Sequence, residues 1–206
     1  MKIPLRYQMT EYDCGPTSLL NGLSYLFERE EIPPELLRNI MLFCLDKYDA
    51  RGGSGRAGTS HTAMQFLSHW LSGFGETGAL AVTSSYLHGG DVTLAPGSFL
   101  RSALCRGAAA VARVDLEGWH YVLLTGASGP SVYLFDPYLL PGGSAQPDVD
   151  IVEDHPLAYN RIVPLVRFES TGLHPYSFGP YEQREAVLLF NSTTVKPGDQ
   201  AVEYVI

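Results

Sequence analysis

A cysteine stands at position 14, directly ahead of Gly15 and Pro16, and the residues that follow carry an apolar stripe at helical spacing. A thiol at the start of a helix faces unpaired backbone N–H groups and the positive end of the helix dipole, which favour an anion there. Cys14 is therefore a candidate nucleophile. Acyl transfer by a thiolate also needs a general base and a donor for the oxyanion that develops on the carbonyl oxygen. Gln8, six residues upstream, is a candidate donor through its side-chain amide, beside the backbone N–H of Cys14. The base must come from elsewhere in the chain, which holds six histidines. His120 opens an apolar run after Gly118 and Trp119, and Asp136 closes the next run sixteen residues later. A hairpin between the runs would set the two side by side, in the arrangement by which a carboxylate orients an imidazole. Gln8, Cys14, His120 and Asp136 together supply every role that thioester chemistry requires.

The elements that must position them read as follows. Leu19, Leu20, Leu23, Leu26 and Phe27 predict a helix over 16–29, with Pro16 in its first turn. Leu36, Leu37, Ile40, Met41 and Leu45 predict a second over 34–45, after the Pro33–Pro34 entry. A glycine-rich flexible loop over 51–58 leads to a third helix over 59–71, with Thr62 and Gln65 as its capping pair. A short helix is expected over 98–106. Strands are expected over 108–115, 120–125, 131–135, 161–168 and 186–190, with a turn at 126–130. Residues 84–96 are an extra stretch that could wall the cleft, and 142–150 a polar connector. Helices first and an antiparallel sheet second make the fold class α+β. We expect one domain over 1–206, with 140–185 as a flap or irregular cover.

Composition removes several classes of function. The 206 residues carry 14 Lys and Arg against 22 Asp and Glu, a net charge of −8, with no basic cluster to hold a phosphate backbone. Nucleic acid is not an expected partner. The apolar runs fall well short of the roughly 18 residues of a membrane span, and no signal segment opens the chain, so a cytoplasmic protein is expected. Three cysteines at wide spacing suit neither a disulfide framework nor a zinc site, and Cys44 and Cys105 read as core thiols. His61 and His69 lack a third ligand, so no metal site is expected, and no organic cofactor is implied. The glycine-rich loop lacks the lysine of a phosphate-binding loop, and no Gly-x-Ser-x-Gly elbow is present. Trp119 reads mainly as a packing residue. Asn191 to Thr193 matches a glycosylation acceptor by chance.

The block from Gln8 to Ser18, with Trp119 to Gly126 and Val132 to Pro137, resembles the papain-like family of bacteriocin-processing, double-glycine leader cysteine peptidases and its stand-alone relatives. The resemblance spans roughly residues 3 to 140. It implies a papain-like cysteine peptidase fold, N-terminal helices packed on an antiparallel sheet, with no cofactor. It further implies Cys14 as nucleophile, His120 as base, Asp136 as its orienter and Gln8 as oxyanion-hole donor. The expected partner is a peptide or protein substrate. Members fused to exporters carry membrane helices and an ATPase; this sequence shows neither, so export-coupled cleavage after a Gly-Gly leader is not carried over. Peptide or amide hydrolysis is the leading expectation. Transfer of the acyl group to an amine, glutamine deamidation and non-catalytic peptide binding are the alternatives, because the same residues on one fold can serve each.

Overall fold

The computed structural model describes residues 1–140 and 146–191. Residues 142–145 of the expected connector and 192–193 of the glycosylation match lie outside them. Helix α1 (Cys14–Leu26) buries Leu19, Leu23 and Leu26, and α2 (Pro34–Cys44) buries Leu36, Ile40 and Cys44. Helix α3 (His61–Glu76) buries Met64, Leu67 and Leu71. Its cap differs from expectation: the Ser60 hydroxyl, not Thr62, accepts the Ala63 N–H at 3.0 Å. Asp46 fixes Ser60 by accepting both its N–H and its hydroxyl. The 51–58 loop is a structured turn, with Asp49 accepting the N–H groups of Arg51 and Gly53 and a bridge joining Tyr48 to Ser54.

Among the described residues, seven strands form one antiparallel sheet in the order β1-β7-β2-β3-β4-β6-β5. They are β1 (Thr83–His88), β2 (Ala109–Asp115), β3 (Trp119–Ser128), β4 (Ser131–Phe135), β5 (Asp150–Ile151), β6 (Arg161–Pro164) and β7 (Glu185–Phe190). The short helix α4 (Phe99–Cys105) precedes β2, with Ser98 as its N-cap. Strand β1 replaces the expected cleft wall at 84–96. Its polar Ser84 is half of a contact with α3, 2.7 Å from Ser68 Oγ, and the Ser84 carbonyl accepts from Ser72. Such a strand carries no apolar alternation to read. The expected strand over 161–168 stops at Pro164, which cannot donate to a ladder, and continues as α5 (Leu165–Phe168).

Both faces of the sheet are covered, which is why Ala109–Val114 of β2 and all of β7 are buried on both sides. Helices α1, α2 and α3 cover one face with Leu19, Leu23, Ile40 and Leu67 against Val111, Leu123 and Leu189. The other core joins α4 to Phe168, Tyr176 and Phe178 from the segment expected to be a cover. Residues 146–185 thus supply two strands and part of a core. Cys44 is buried, as expected, but Cys105 is exposed, with its Sγ 3.4 Å from the Ala127 carbonyl. It sits on the last turn of a seven-residue helix, where one apolar position faces out. No helix among the described residues is long and apolar enough to cross a membrane.

Candidate active site

The segment before α1 is shaped by Asp13. Its carboxylate accepts the N–H groups of Met9 and Thr10 and the Thr10 hydroxyl, closing residues 9–13 into a loop ahead of Cys14. Burial raises the Asp13 carboxyl, but these hydrogen bonds outweigh it and hold the group below the usual carboxylate range. Cys14 is the first residue of α1, nearly buried, and its N–H is among those with no intrahelical acceptor. One turn later the Ser18 hydroxyl donates to the Tyr121 carbonyl at 3.1 Å, fixing α1 against β3 beside His120. Gly15 answers to packing: a Cβ there would lie 2.3 Å from Thr59 Oγ1 and 3.0 Å from Thr59 Cβ, so the close approach of α1 to the start of α3 requires glycine.

The hairpin of β3 and β4 brings His120 and Asp136 together as the spacing predicts. His120 Nε2 lies 2.8 Å from Asp136 Oδ1, with His120 nearly and Asp136 fully buried. The other ring nitrogen, Nδ1, is left for the thiol. Burial works against a charged ring, but hydrogen bonds to Asp136 and to Cys14 outweigh it and push His120 up to about 10. Burial likewise raises Asp136, and its bond to His120 and the charge there more than reverse this, holding it low. A proton can thus rest on an imidazolium between a carboxylate and the Cys14 sulfur.

Asp136 is held by residues that the sequence reading assigned no role. Asn160 accepts the Asp136 N–H at 2.8 Å and donates to its carbonyl at 2.9 Å, a two-point clamp on the backbone. The Tyr176 hydroxyl donates to Asp136 Oδ2 at 3.1 Å, and the Tyr138 N–H to Oδ1 at 2.9 Å. Burial and the adjacent carboxylate push the Tyr176 phenol well above its ordinary value, so it remains a donor. Tyr176 holds a left-handed backbone, φ +69°, which disfavours a bulky side chain; bonds between its segment and Asp115 hold it there. A two-residue signal, a buried polar residue opposite a strand end, is too common in sequence to have pointed to either.

Gln8 lies in the cleft with His120, a hollow of about 640 Å³ lined also by Trp119, Tyr138 and Tyr176. Its backbone N–H donates to the Pro137 carbonyl at 2.9 Å, tying the N-terminal segment to the residue after Asp136. Its side-chain Nε2 donates to the Thr10 carbonyl at 2.7 Å, which leaves one amide N–H for another acceptor. Asn21 on α1 clamps the same segment through the Arg6 N–H and carbonyl.

A second polar group, unforeseen as a unit, crosses the helix-side face of the sheet. Arg113 on β2 pairs with Tyr121 on β3, and its Nη1 lies 3.5 Å from Glu185 Oε1 on β7. Buried Glu185 accepts from Tyr86 at 2.8 Å and from Tyr121, and its Oε1 lies 2.9 Å from His61 Nδ1. Arg113 contacts His61 Nε2, so His61, half exposed, ties the start of α3 to the sheet. Trp119 is not core: it is 38% exposed, 4.0 Å beneath the Arg113 guanidinium, and its ring edge packs against Gly179, where a Cβ would come within 2.8 Å.

A thiol at a helix start, an imidazole held by a buried carboxylate and an amide donor at the cleft are groups that cysteine acyl transfer requires. No protein-family model matches the chain, and no curated protein matches it. Among solved structures, the chain is similar to a double-glycine motif protease from an AMS/PCAT transporter, solved in complex with the leader peptide. Identity is 16% and the TM-score 0.43, over 92% of this chain and 90% of that one. The functional reading therefore rests on the side chains described above.

Proposed function

We propose that the chain is a single papain-like cysteine peptidase-like domain that hydrolyses a peptide or amide bond through a thioester at Cys14. The observation that supports this most is the buried 2.8 Å pair of His120 and Asp136, with Cys14 at the start of α1 among the groups that raise the ring. In the first half-reaction Cys14 Sγ attacks the carbonyl carbon, and the carbonyl oxygen takes the negative charge. The Cys14 N–H and the free Gln8 amide N–H stabilise that oxyanion. The C–N bond then breaks as His120 gives its proton to the leaving amine. In the second half, His120 takes a proton from water, the hydroxide attacks the thioester, and the C–S bond breaks to release the acid and restore the thiol. Asp136 keeps the ring in the orientation that serves both transfers and stays ionised throughout.

Alkylation by iodoacetamide, followed by peptide mass mapping, tests the nucleophile without a known substrate. Cys14 is expected to label faster than Cys105 despite being the more buried, and to lose that advantage in His120→Ala. Peptide pools incubated with the wild-type chain should yield paired fragments, with none in Cys14→Ala. Equal labelling of Cys14 and Cys105 in the wild type, or unchanged cleavage in Cys14→Ala, overturns the mechanism.

A further inference from the structure

A second compartment of about 290 Å³, lined by Cys14 and sharing Glu11 and Trp119 with the His120 cleft, lies between the loop at 47–59 and the sheet. Its lining holds three cations, Lys47, Arg56 and Arg113, against one acid, Glu11, in a chain whose net charge is −8. The neighbouring carboxylates are engaged elsewhere: Asp46 on Ser60, and Asp49 on the N–H groups of Arg51 and Gly53. Neither Lys47 nor Arg56 takes part in an ion pair among the described residues. Arg113 is 7% exposed, and its buried Nε has no hydrogen-bond partner. Its nearest acid, Glu185, is 3.5 Å from Nη1 and already accepts from Tyr121 and His61 at shorter range. Trp119 closes one side beneath that guanidinium and offers an apolar wall.

We propose that this compartment binds a carboxylate carried by the substrate, either an acidic side chain beside the scissile bond or a free C-terminus. This rests on Cys14 as the nucleophile and adds the class of peptide it acts on. A buried guanidinium with two exposed cations at its rim gives charge-assisted donors to an anion, and a low-dielectric wall strengthens them. Neutral or cationic groups at this position gain none of that.

Iodoacetate and iodoacetamide deliver nearly the same group to a thiol with and without a negative charge. The rate ratio of iodoacetate to iodoacetamide at Cys14 is expected to fall by about threefold or more in Lys47→Gln/Arg56→Gln, and also at about 0.5 M salt in the wild type. An unchanged ratio overturns the proposal whatever the absolute rates, whereas sluggish labelling of Cys14 by both reagents strikes at the nucleophile instead. Protection of Cys14 from iodoacetamide then separates the two sources. Acetyl-glutamate amide should protect better than acetyl-glutamine amide if the compartment takes a side chain, and acetyl-alanine acid better than its amide if it takes a terminus. Protection by neither acid overturns the proposal.

Discussion

Removing the hydroxyl of Tyr176 isolates one support of the candidate base. Tyr176→Phe keeps the ring in its core beside Phe168, and keeps the left-handed backbone, so neither a large cavity nor a change of strain accompanies the loss. What disappears is the 3.1 Å donor to Asp136 Oδ2, where Asp136 is fully buried. A hydrogen bond to a charged acceptor contributes about 1.5–3 kcal/mol, and the length of this one places it near the lower end. A loss of about 1.5–2 kcal/mol corresponds to a fall in Tm of about 3–8 °C for a chain of this size. Urea unfolding at pH 7 measures it. The sign with pH follows from the low Asp136 carboxyl: its contribution is present above the unfolded carboxylate range and is lost as pH falls through the folded value. The deficit of Tyr176→Phe should therefore shrink toward acid, where Asp136 takes up a proton. A double-mutant cycle with Asp136→Asn should give a coupling of about 1 kcal/mol or more. A deficit below about 0.5 kcal/mol that is flat from pH 7 downward, with no coupling, would refute the claim that this hydroxyl supports the carboxylate.

Other perturbations test separate parts of the site. Asn160→Asp replaces the donor to the Asp136 carbonyl with a carboxylate, and should cost about 2–4 kcal/mol in urea unfolding while slowing Cys14 alkylation, because the clamp positions Asp136. Gly15→Ala forces a Cβ against Thr59 and should cost about 1–3 kcal/mol by thermal unfolding, with part of it recovered in Gly15→Ala/Thr59→Gly. His120, raised to about 10, contributes stability that is fully present below about 6.5 and is lost as pH rises through about 10. Wild-type stability should thus decline over that window, and His120→Gln should flatten the decline; parallel curves would refute the pairing.

The local pattern of the sequence was enough to place α1, α2 and the β3–β4 hairpin, and with them Cys14, His120 and Asp136. Helical and strand periods are set by neighbours in the chain, and a hairpin of fixed length brings residues sixteen apart into contact. The cap of α3 and the end of β6 were misplaced because Ser60 and Pro164 act through contacts one or two residues from where the period changes. Strand β1 was illegible because its serines are matched by serines of α3, a pairing that exists only once both are folded.

The same reason separates the remaining residues. Asn160 and Tyr176 reach Asp136 across 24 and 40 residues of chain, and Tyr121, Arg113 and Glu185 meet on three strands of which the last in sequence lies between the other two and β1 in the sheet. A buried charge is tolerated only where partners converge on it, and that convergence is a property of strand order and packing. The sequence by itself determined which residues could do chemistry and the short-range geometry that presents them. The tertiary structure decided how His120 and Asp136 are held, which charges line the second compartment, and why position 15 must be glycine, since each depends on atoms far apart in the chain meeting within a few ångströms.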